Sequence, residues 1–373
     1  MKDERYMQEA IALAKKGIGF VNPNPLVGAV IVKHATVIGR GWHERYGGLH
    51  AERNALQNCR EDPAGAVMYV TLEPCCHHGL TPPCTDAIIQ SGIRKVVVGG
   101  LDPNPQVSGK GLQLLQRAGI ETVTGVLQVQ CEQMNEVFFH YIREKRPFVT
   151  MKYAMTMDGK AATVSGESRG NGWITGEAAR ARVHADRKRN AAIMAGVGTV
   201  IADNPFLTCR LSPEPVRNPV RIICDTGLRT PLDARIIQTA GEVKTILATA
   251  CEDRRKMEQY RKHGCEFLIL PVKDQHIDLN MLMSKLGEQK IDSILLEGGG
   301  SLNFSALQSG IVNRVQAYIA PRIFGGEAAK TPVAGNGISR IEDCVRLRNR
   351  TVRLIGDDIL IEAEVDNRVY RNH

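Results

Sequence analysis

Aromatic residues are scarce in this chain of 373: eight Phe, eight Tyr and two Trp, or 5% of the sequence. The densest basic run (Arg182, Arg187, Lys188, Arg189) has no interleaved rings, so the stacking platform of a single-strand nucleic-acid binder is not encoded. No apolar run approaches the roughly 18 residues of a membrane span. The first residues, Met1-Lys2-Asp3-Glu4-Arg5, are charged and lack the apolar stretch of a signal peptide. Ten cysteines in so long a chain do not make a disulfide framework. Cys75, Cys76 and Cys84 cluster; the other seven lie among apolar stretches and read as buried thiols. Fixed-period repeats and low-complexity tracts are also missing. What remains is a soluble, cytoplasmic protein with no membrane partner and no nucleic acid, whose net charge of +8 suits small phosphorylated ligands.

The length is that of two domains. Helical spacing over 5–16 is followed by apolar segments at 27–32 and 37–41, separated as in a hairpin. Residues 51–58 read as a helix, 67–72 as a buried strand, 85–91 as a helix, 95–99 as a strand and 111–118 as a helix. The charged stretch Arg143-Glu144-Lys145-Arg146-Pro147 reads as a linker. Beyond it the alternation restarts, with strands at 148–155, 191–197, 220–225, 244–248, 267–270, 293–296 and 314–320. Helices are expected at 177–189, 279–286 and 302–309, and 358–364 is expected to be an edge strand. The expected domains are therefore 1–145 and 147–366, each an α/β sheet covered by helices.

The sharpest chemical signal is His50-Ala51-Glu52 followed by Pro74-Cys75-Cys76-His77-His78-Gly79-Leu80-Thr81-Pro82-Pro83-Cys84. One imidazole and two thiolates match the three-protein-ligand set of a catalytic zinc, which keeps a fourth position for water. Zinc makes that water acidic near neutral pH, and Glu52 is placed to move its proton to a ring nitrogen and a leaving ammonia. This is the H-x-E plus P-C-x-x-C pattern of zinc base deaminases, except that nine positions separate Cys75 from Cys84. Cys76, His77 and His78 are competing ligands, and a closed structural zinc knot using either histidine is the alternative. Because residues two apart do not face each other on a helix, His50 must sit almost outside the helix that carries Glu52.

In the second half, Ser293-Ile294-Leu295-Leu296-Glu297-Gly298-Gly299-Gly300-Ser301 reads as strand, glycine loop and helix start, a phosphate-site pattern that is neither G-x-G-x-x-G nor a P-loop. A plain tight turn would read the same way. A second glycine loop, Ala195-Gly196-Val197-Gly198-Thr199, also follows a strand, which places both at one crevice of an open α/β sheet.

These motifs carry a resemblance. The first 145 residues resemble the deaminase domain of bacterial bifunctional riboflavin-biosynthesis deaminase-reductases, through the long loop His77-His78-Gly79-x-Thr81-Pro82-Pro83-Cys84 and through Asn22-Pro23-Asn24-Pro25-x-Val27-Gly28-Ala29. From 148 to about 365 the chain resembles the reductase half of that family. The matching stretches include Met155-Thr156-Met157-Asp158-Gly159-Lys160, Trp173-Ile174-Thr175-Gly176, Glu297-Gly298-Gly299 and the run from Gly198 to Arg210.

The resemblance implies a cytidine-deaminase-like three-layer α/β/α domain joined to a dihydrofolate-reductase-like α/β domain. It implies Zn2+ on His50, Cys75 and Cys84, with Glu52 as proton shuttle and Cys76 a bystander. Asn24, with His43, Asp102 and Asn104, would contact the substrate. NADPH would lie against Ala154, Trp173, Thr199, Asp203, Gly299, Gly300 and Ser301, and Ser168, Arg187, Leu207, Arg210 and Glu297 would face the second substrate. Arg187 and Arg210 would clamp a ribose phosphate. The implied reactions are hydrolytic deamination of 2,5-diamino-6-ribosylamino-4(3H)-pyrimidinone 5′-phosphate, then NADPH-dependent reduction of its ribosyl chain to ribityl, in a homo-oligomer.

Two positions depart from the family. Leu80 stands where a basic residue is usual, and Arg169-Gly170-Asn171-Gly172 lengthens the loop between Ser168 and Trp173. Two other readings compete: a nucleic-acid base deaminase with an accessory nucleotide-binding domain, and a non-enzymatic zinc module joined to a nucleotide sensor.

Overall fold

The computed structural model describes residues 2–104, 107–165, 173–211 and 217–366, so Ser168 and the 169–172 insertion lie outside the described residues. The chain divides into two compact units, Met1–Lys145 and Arg146–His373.

In the first unit the elements are α1 (Lys2–Ala14), β1 (Gly28–Lys33), β2 (Thr36–Trp42), α2 (Ala51–Gln57), β3 (Val67–Leu72), α3 (Cys84–Gln90), β4 (Lys95–Gly100), α4 (Lys110–Arg117), β5 (Glu121–Thr124), α5 (Gln128–Met134) and α6 (Glu136–Glu144). The sheet order is β2-β1-β3-β4-β5, antiparallel at β2-β1 and β1-β3 and parallel beyond. Because strand side chains alternate between faces, Ala29, Ile31, Met68, Val70, Val96 and Val98 pack on one side, under α2, α3 and α4. Val30, Val32, Tyr69 and Val97 pack on the other, under α1 and Cys131 of α5. Three layers result.

The stretch read as a linker is partly helical: Arg143 and Glu144 close the last turn of α6, where a basic side chain suits the helix C-terminus.

The second unit contains β6 (Phe148–Thr156), α7 (Glu177–Arg189), β7 (Ala192–Gly196), α8 (Val197–Asp203), β8 (Val220–Cys224), α9 (Arg235–Gln238), β9 (Thr245–Thr249), α10 (Arg254–Arg261), β10 (Glu266–Ile269), the short pair β11 (Val272–Lys273) and β12 (His276–Ile277), α11 (Leu279–Glu288), β13 (Ser293–Leu296), α12 (Gly300–Gln308), β14 (Arg314–Ala320), β15 (Leu347–Ile355) and β16 (Asp358–Val365). Its nine-stranded sheet runs β10-β9-β8-β7-β13-β6-β14-β16-β15, parallel through β14 and antiparallel at the last two pairings.

Helices α11 and α12 cover one face. Side chains of α8, α9 and α10 pack on the other under β7, β8 and β9, and α7 packs against Tyr318 and Leu360. The 358–364 strand is not the edge: β15, almost wholly exposed, pairs outside β16 and is. The second glycine loop is likewise no loop, since α8 starts at Val197 directly after β7.

Of the seven dispersed cysteines, Cys131, Cys209 and Cys265 are buried, whereas Cys59, Cys224, Cys251 and Cys344 are half-buried. All ten thiols are free. No helix among the described residues is long and apolar enough to cross a membrane.

Candidate active sites

In the first unit, α2 lies directly on the hairpin. A Cβ at Gly41 would stand 2.3 Å from the Ala55 nitrogen and 2.4 Å from the Ala51 carbonyl, so only glycine admits this approach. The contact fixes the start of α2, where His50 is the N-cap in extended conformation and Glu52 is the second helical residue. Cys84 opens α3, and Cys75 follows the end of β3.

The ligand atoms of His50, Cys75 and Cys84 all lie within 4.8 Å of one another. His50 Nδ1 is 3.5 Å from Cys75 Sγ and 3.4 Å from Cys84 Sγ. Tetrahedral zinc with Zn–S near 2.3 Å and Zn–N near 2.0–2.1 Å requires nitrogen and sulfur about 3.5 Å apart, so the donor set fits the ion. His77 and His78 are exposed and do not join the cluster, which argues against the closed knot.

Two helix starts converge on this point, and their partial positive charge favours thiolates. Cys75 is drawn down to about 4, chiefly by a hydrogen bond from Cys84 and against its own burial, with His50 assisting. The Cys84 backbone N–H also donates to Cys75 Sγ at 3.3 Å.

Glu52 is buried, and its carboxyl meets the Cys84 thiol. Burial first, and the Cys75 charge second, push it up to about 7, a value suited to taking and returning a proton near neutrality. His43 is buried edge-on to His50, with ring centroids 5.3 Å apart. Its Nδ1 meets the Leu49 carbonyl at 3.0 Å and its Nε2 lies 3.1 Å from Asn24 Nδ2. Since amide Nδ2 only donates, Nε2 is the acceptor and Nδ1 carries the proton. Burial lowers the His43 pKa, which keeps that neutral form. Asn24, His43 and His50 thus form one contiguous wall. Asp102 is buried and accepts the Asn104 N–H at 2.8 Å; burial raises it to about 6. Leu80 is 74% exposed.

Two positioning residues escaped the reading of the sequence. Arg53 of α2 donates to the Pro83 carbonyl at 2.8 Å and the Pro82 carbonyl at 3.3 Å, pinning the loop that delivers Cys84. Glu73 is buried, and its carboxylate accepts backbone N–H groups from Gly109 (3.0 Å), Gly111 (3.1 Å), Asp102 and Leu112 (both 3.4 Å). It caps α4 from outside and ties the approach to Cys75 to the segment carrying Asp102. A Glu that ends an apolar strand just before Pro-Cys was the signal available. Glu73→Gln would replace one acceptor by an NH2 facing donors. The expected result is a KM for deamination raised about tenfold or more with zinc content unchanged, checked by steady-state ammonia release and metal analysis.

In the second unit, the carboxyl ends of β8, β7 and β13, with the adjoining part of β6, open on one cleft of about 1650 Å³. It is lined by Ala154, Trp173, Arg187, Thr199, Asp203, Leu207, Arg210, Glu297, Gly299, Gly300 and Ser301, so every described reductase residue singled out above meets there. Gly298 and Gly299 both have positive φ (72° and 76°), and a Cβ on Gly299 would lie 3.1 Å from Thr199 Oγ1. The Thr199 hydroxyl donates to the Gly298 carbonyl at 3.1 Å, joining the two strand ends. The start of α12 therefore faces the cleft with its N–H groups, a natural anion seat.

One expectation needs correction. Arg187 is not a free phosphate clamp: its Nε and Nη2 donate to the two Glu297 carboxylate oxygens at 2.6 and 2.8 Å, and Nη1 donates to the Thr208 carbonyl at 2.9 Å. Burial opposes the Glu297 charge, but Arg187, with Lys152 and His184, holds that carboxyl down to about 2. Arg210 is exposed, with its backbone N–H on His184 Nδ1 at 3.1 Å. Trp173 is 43% exposed and lies under the Arg180 guanidinium.

A three-layer sheet with a His-Cys-Cys triad at two helix starts and a buried Glu beside it defines a zinc-dependent deaminase; the second unit is a separate α/β domain with a ligand cleft. Residues 1–100 match the model of the cytidine and deoxycytidylate deaminase zinc-binding region, and residues 147–361 match the RibD C-terminal domain. The riboflavin biosynthesis protein RibD of Actinobacillus pleuropneumoniae is 56% identical over 98% of this chain and 96% of its own. Two solved structures each have a TM-score of 0.87, covering 98% of this chain and 99% of theirs: RibD of Acinetobacter baumannii, 34% identical, and a diaminohydroxyphosphoribosylaminopyrimidine deaminase/5-amino-6-(5-phosphoribosylamino)uracil reductase of Thermotoga maritima, 39% identical. The chain belongs to the RibD family of riboflavin biosynthesis proteins.

Proposed function

We propose that the two units catalyse consecutive steps on one phosphorylated pyrimidine, the first deaminating 2,5-diamino-6-ribosylamino-4(3H)-pyrimidinone 5′-phosphate and the second reducing its ribosyl chain to ribityl. The enzyme is a bifunctional deaminase and reductase of riboflavin biosynthesis that uses Zn2+ and NADPH. The observation that carries the deaminase assignment is the fit of His50, Cys75 and Cys84 to a tetrahedral ion with Glu52 buried alongside.

When bound, Zn2+ supplies the Lewis acidity that lowers the pKa of a water toward neutrality, and NADPH supplies the hydride. The protein's residues do the rest. Glu52 accepts one water proton and passes it to the ring nitrogen, then carries the second, from the hydroxyl added to the ring carbon, to the departing ammonia as the carbon–nitrogen bond breaks. Asn24 and neutral His43 hold the base, and Asp102 and Asn104 border it. In the cleft, Ala154, Trp173, Thr199, Asp203 and the 299–301 turn hold the cofactor. Arg210 takes the substrate phosphate, the Arg187–Glu297 pair presents a rigid polar wall, and Leu207 packs beside it. Their work is positioning.

A homo-oligomer is part of the same proposal. It is supported by β15, an edge strand with free pairing groups on which Val352 and Leu354 are 64% and 76% exposed.

The test is to mix purified protein with the diaminopyrimidinone phosphate and follow ammonia release and NADPH consumption separately. Ammonia is expected without NADPH, and NADPH oxidation only after ammonia appears. Deamination of an RNA hairpin with no action on the free nucleotide would refute the reading.

A further inference from the structure

A strap of residues, 204–210, follows α8 and carries both Leu207 and Arg210 to the cleft. Its backbone is irregular. Asn204 and Leu207 have positive φ (40° and 51°), a conformation that leucine keeps only where its surroundings impose it. Side chains from outside the strap do the imposing. Asn218 Oδ1 accepts the Cys209 N–H at 3.0 Å, and the fully buried Arg221 donates to the Phe206 carbonyl at 3.2 Å.

Helix α7 supplies the other ties. His184 and Arg187 are three positions apart, neighbours on one helix face, and they meet three consecutive strap residues. Arg187 Nη1 donates to the Thr208 carbonyl, the Cys209 thiol donates to the His184 carbonyl at 3.2 Å, and the Arg210 N–H donates to His184 Nδ1 at 3.1 Å. A backbone N–H can only donate, so Nδ1 is unprotonated and the ring carries its proton on Nε2. The surroundings keep it neutral: burial first, then the Arg187 and Arg210 charges, lower the His184 pKa to about 4, with Lys152 adding to them and Glu297 opposing. The Arg210 side chain in turn leans on the strap, Nη1 donating to Thr208 Oγ1 at 3.4 Å. The amide and the guanidinium of Arg210 are thus both referenced to α7. Of the three ties, the imidazole alone can be removed by a side-chain change that leaves the Arg187–Glu297 pair intact.

We propose that His184 is a positioning residue of the reductase, its Nδ1 fixing the Arg210 backbone so that the guanidinium meets the substrate phosphate already in place. The inference rests on the Arg210 role proposed above. Holding the arm before the substrate arrives spares the cost of ordering it on binding.

The test is steady-state NADPH oxidation by the full chain with the deaminated pyrimidine, supplied with and without its 5′-phosphate. The wild type is expected to have the lower KM for the phosphorylated form. His184→Ala should raise that KM about tenfold, leaving kcat and the KM for the dephosphorylated form within about twofold of the wild type. His184→Asn, whose Oδ1 can stand in for Nδ1 as acceptor, should recover most of the loss. In an Arg210→Ala background, His184→Ala should cost nothing more, because the two act through one contact. The KM for NADPH and the thermal unfolding profile serve as folding controls.

Equal losses on the two pyrimidines overturn the proposal, as does a His184→Ala enzyme that behaves like the wild type. So does an Asn variant no better than Ala, or an effect of His184→Ala that persists in full without the Arg210 side chain. A wild type indifferent to the phosphate takes down the Arg210 assignment together with this inference, while the reductase reading stands. A wild type that reduces neither pyrimidine removes all three.

Discussion

Replacing Glu52 by Gln is expected to lower the deaminase kcat by about 10²–10⁴, the span assigned to positioned general acid–base groups. The amide is nearly isosteric and can still meet the Cys84 thiol, so the loss isolates proton transfer from packing. Zinc content is expected to stay at the wild-type level, because the ligand atoms of His50, Cys75 and Cys84 meet without it. NADPH oxidation with the already deaminated pyrimidine should also be unchanged, since that cleft is lined wholly by residues of the other unit. The two assays on one preparation thus serve as each other's control. Full ammonia release by the Gln variant would remove Glu52 from the mechanism.

The second large effect concerns Arg187 and Glu297, whose side chains are each 10% exposed. Removing one partner of a buried pair strands the other charge, a cost of about 3–5 kcal/mol, whereas replacing both by apolar residues of similar volume is often nearly neutral. Glu297→Ala is therefore expected to destabilise the second unit by that amount, and Arg187→Met with Glu297→Leu by much less. Urea unfolding can be followed by Trp173 in a Trp42→Phe background, since these are the two tryptophans of the chain. Equal losses in the single and double variants would refute a charge-stranding origin.

The pH dependence has a definite sign. The folded pKa of Glu297 lies near 2, below its ordinary value of 4.5. Its contribution is complete above the unfolded value and disappears as pH falls from there through about 2. The wild-type unit should accordingly lose stability across that window, and the double variant should lose less.

How much of this was readable from the residues varied with the kind of signal. β3, β13 and β14 coincide with the stretches read from their apolar runs, because strands buried along most of their length report themselves that way; α7 also spans the stretch read as a helix. β15 could not be read that way: its run of Arg348, Arg350 and Arg353 buries nothing, and a register shift between Arg348 and Thr351 breaks any period of two. β5 has four residues and α5 buries only Cys131, too little for either to stand out.

The metal triad was legible because its chemistry restricts residue type, and Cys84 arrives where the long loop delivers it. Partnerships between distant residues were not. Arg187 and Glu297 are 110 positions apart, and nothing in either neighbourhood announces the other. The four amides around Glu73 come from a segment 29 to 39 positions downstream. Both are products of topology, which sequence periodicity does not encode.

The wide spacing of the zinc donors has a consequence for assembly. His50 stands 25 and 34 positions from the two thiols, on the far side of β3. An ion seated there bridges the chain as a staple closing a loop of that length. Closures of this size remove about 3–4 kcal/mol of unfolded-chain freedom in the entropic treatment applied to disulfides. Ten reduced cysteines thus coexist with one reversible cross-link, formed only once β3 has brought its two sides together. Because the three donors meet only in the folded first unit, zinc affinity and the stability of that unit are linked.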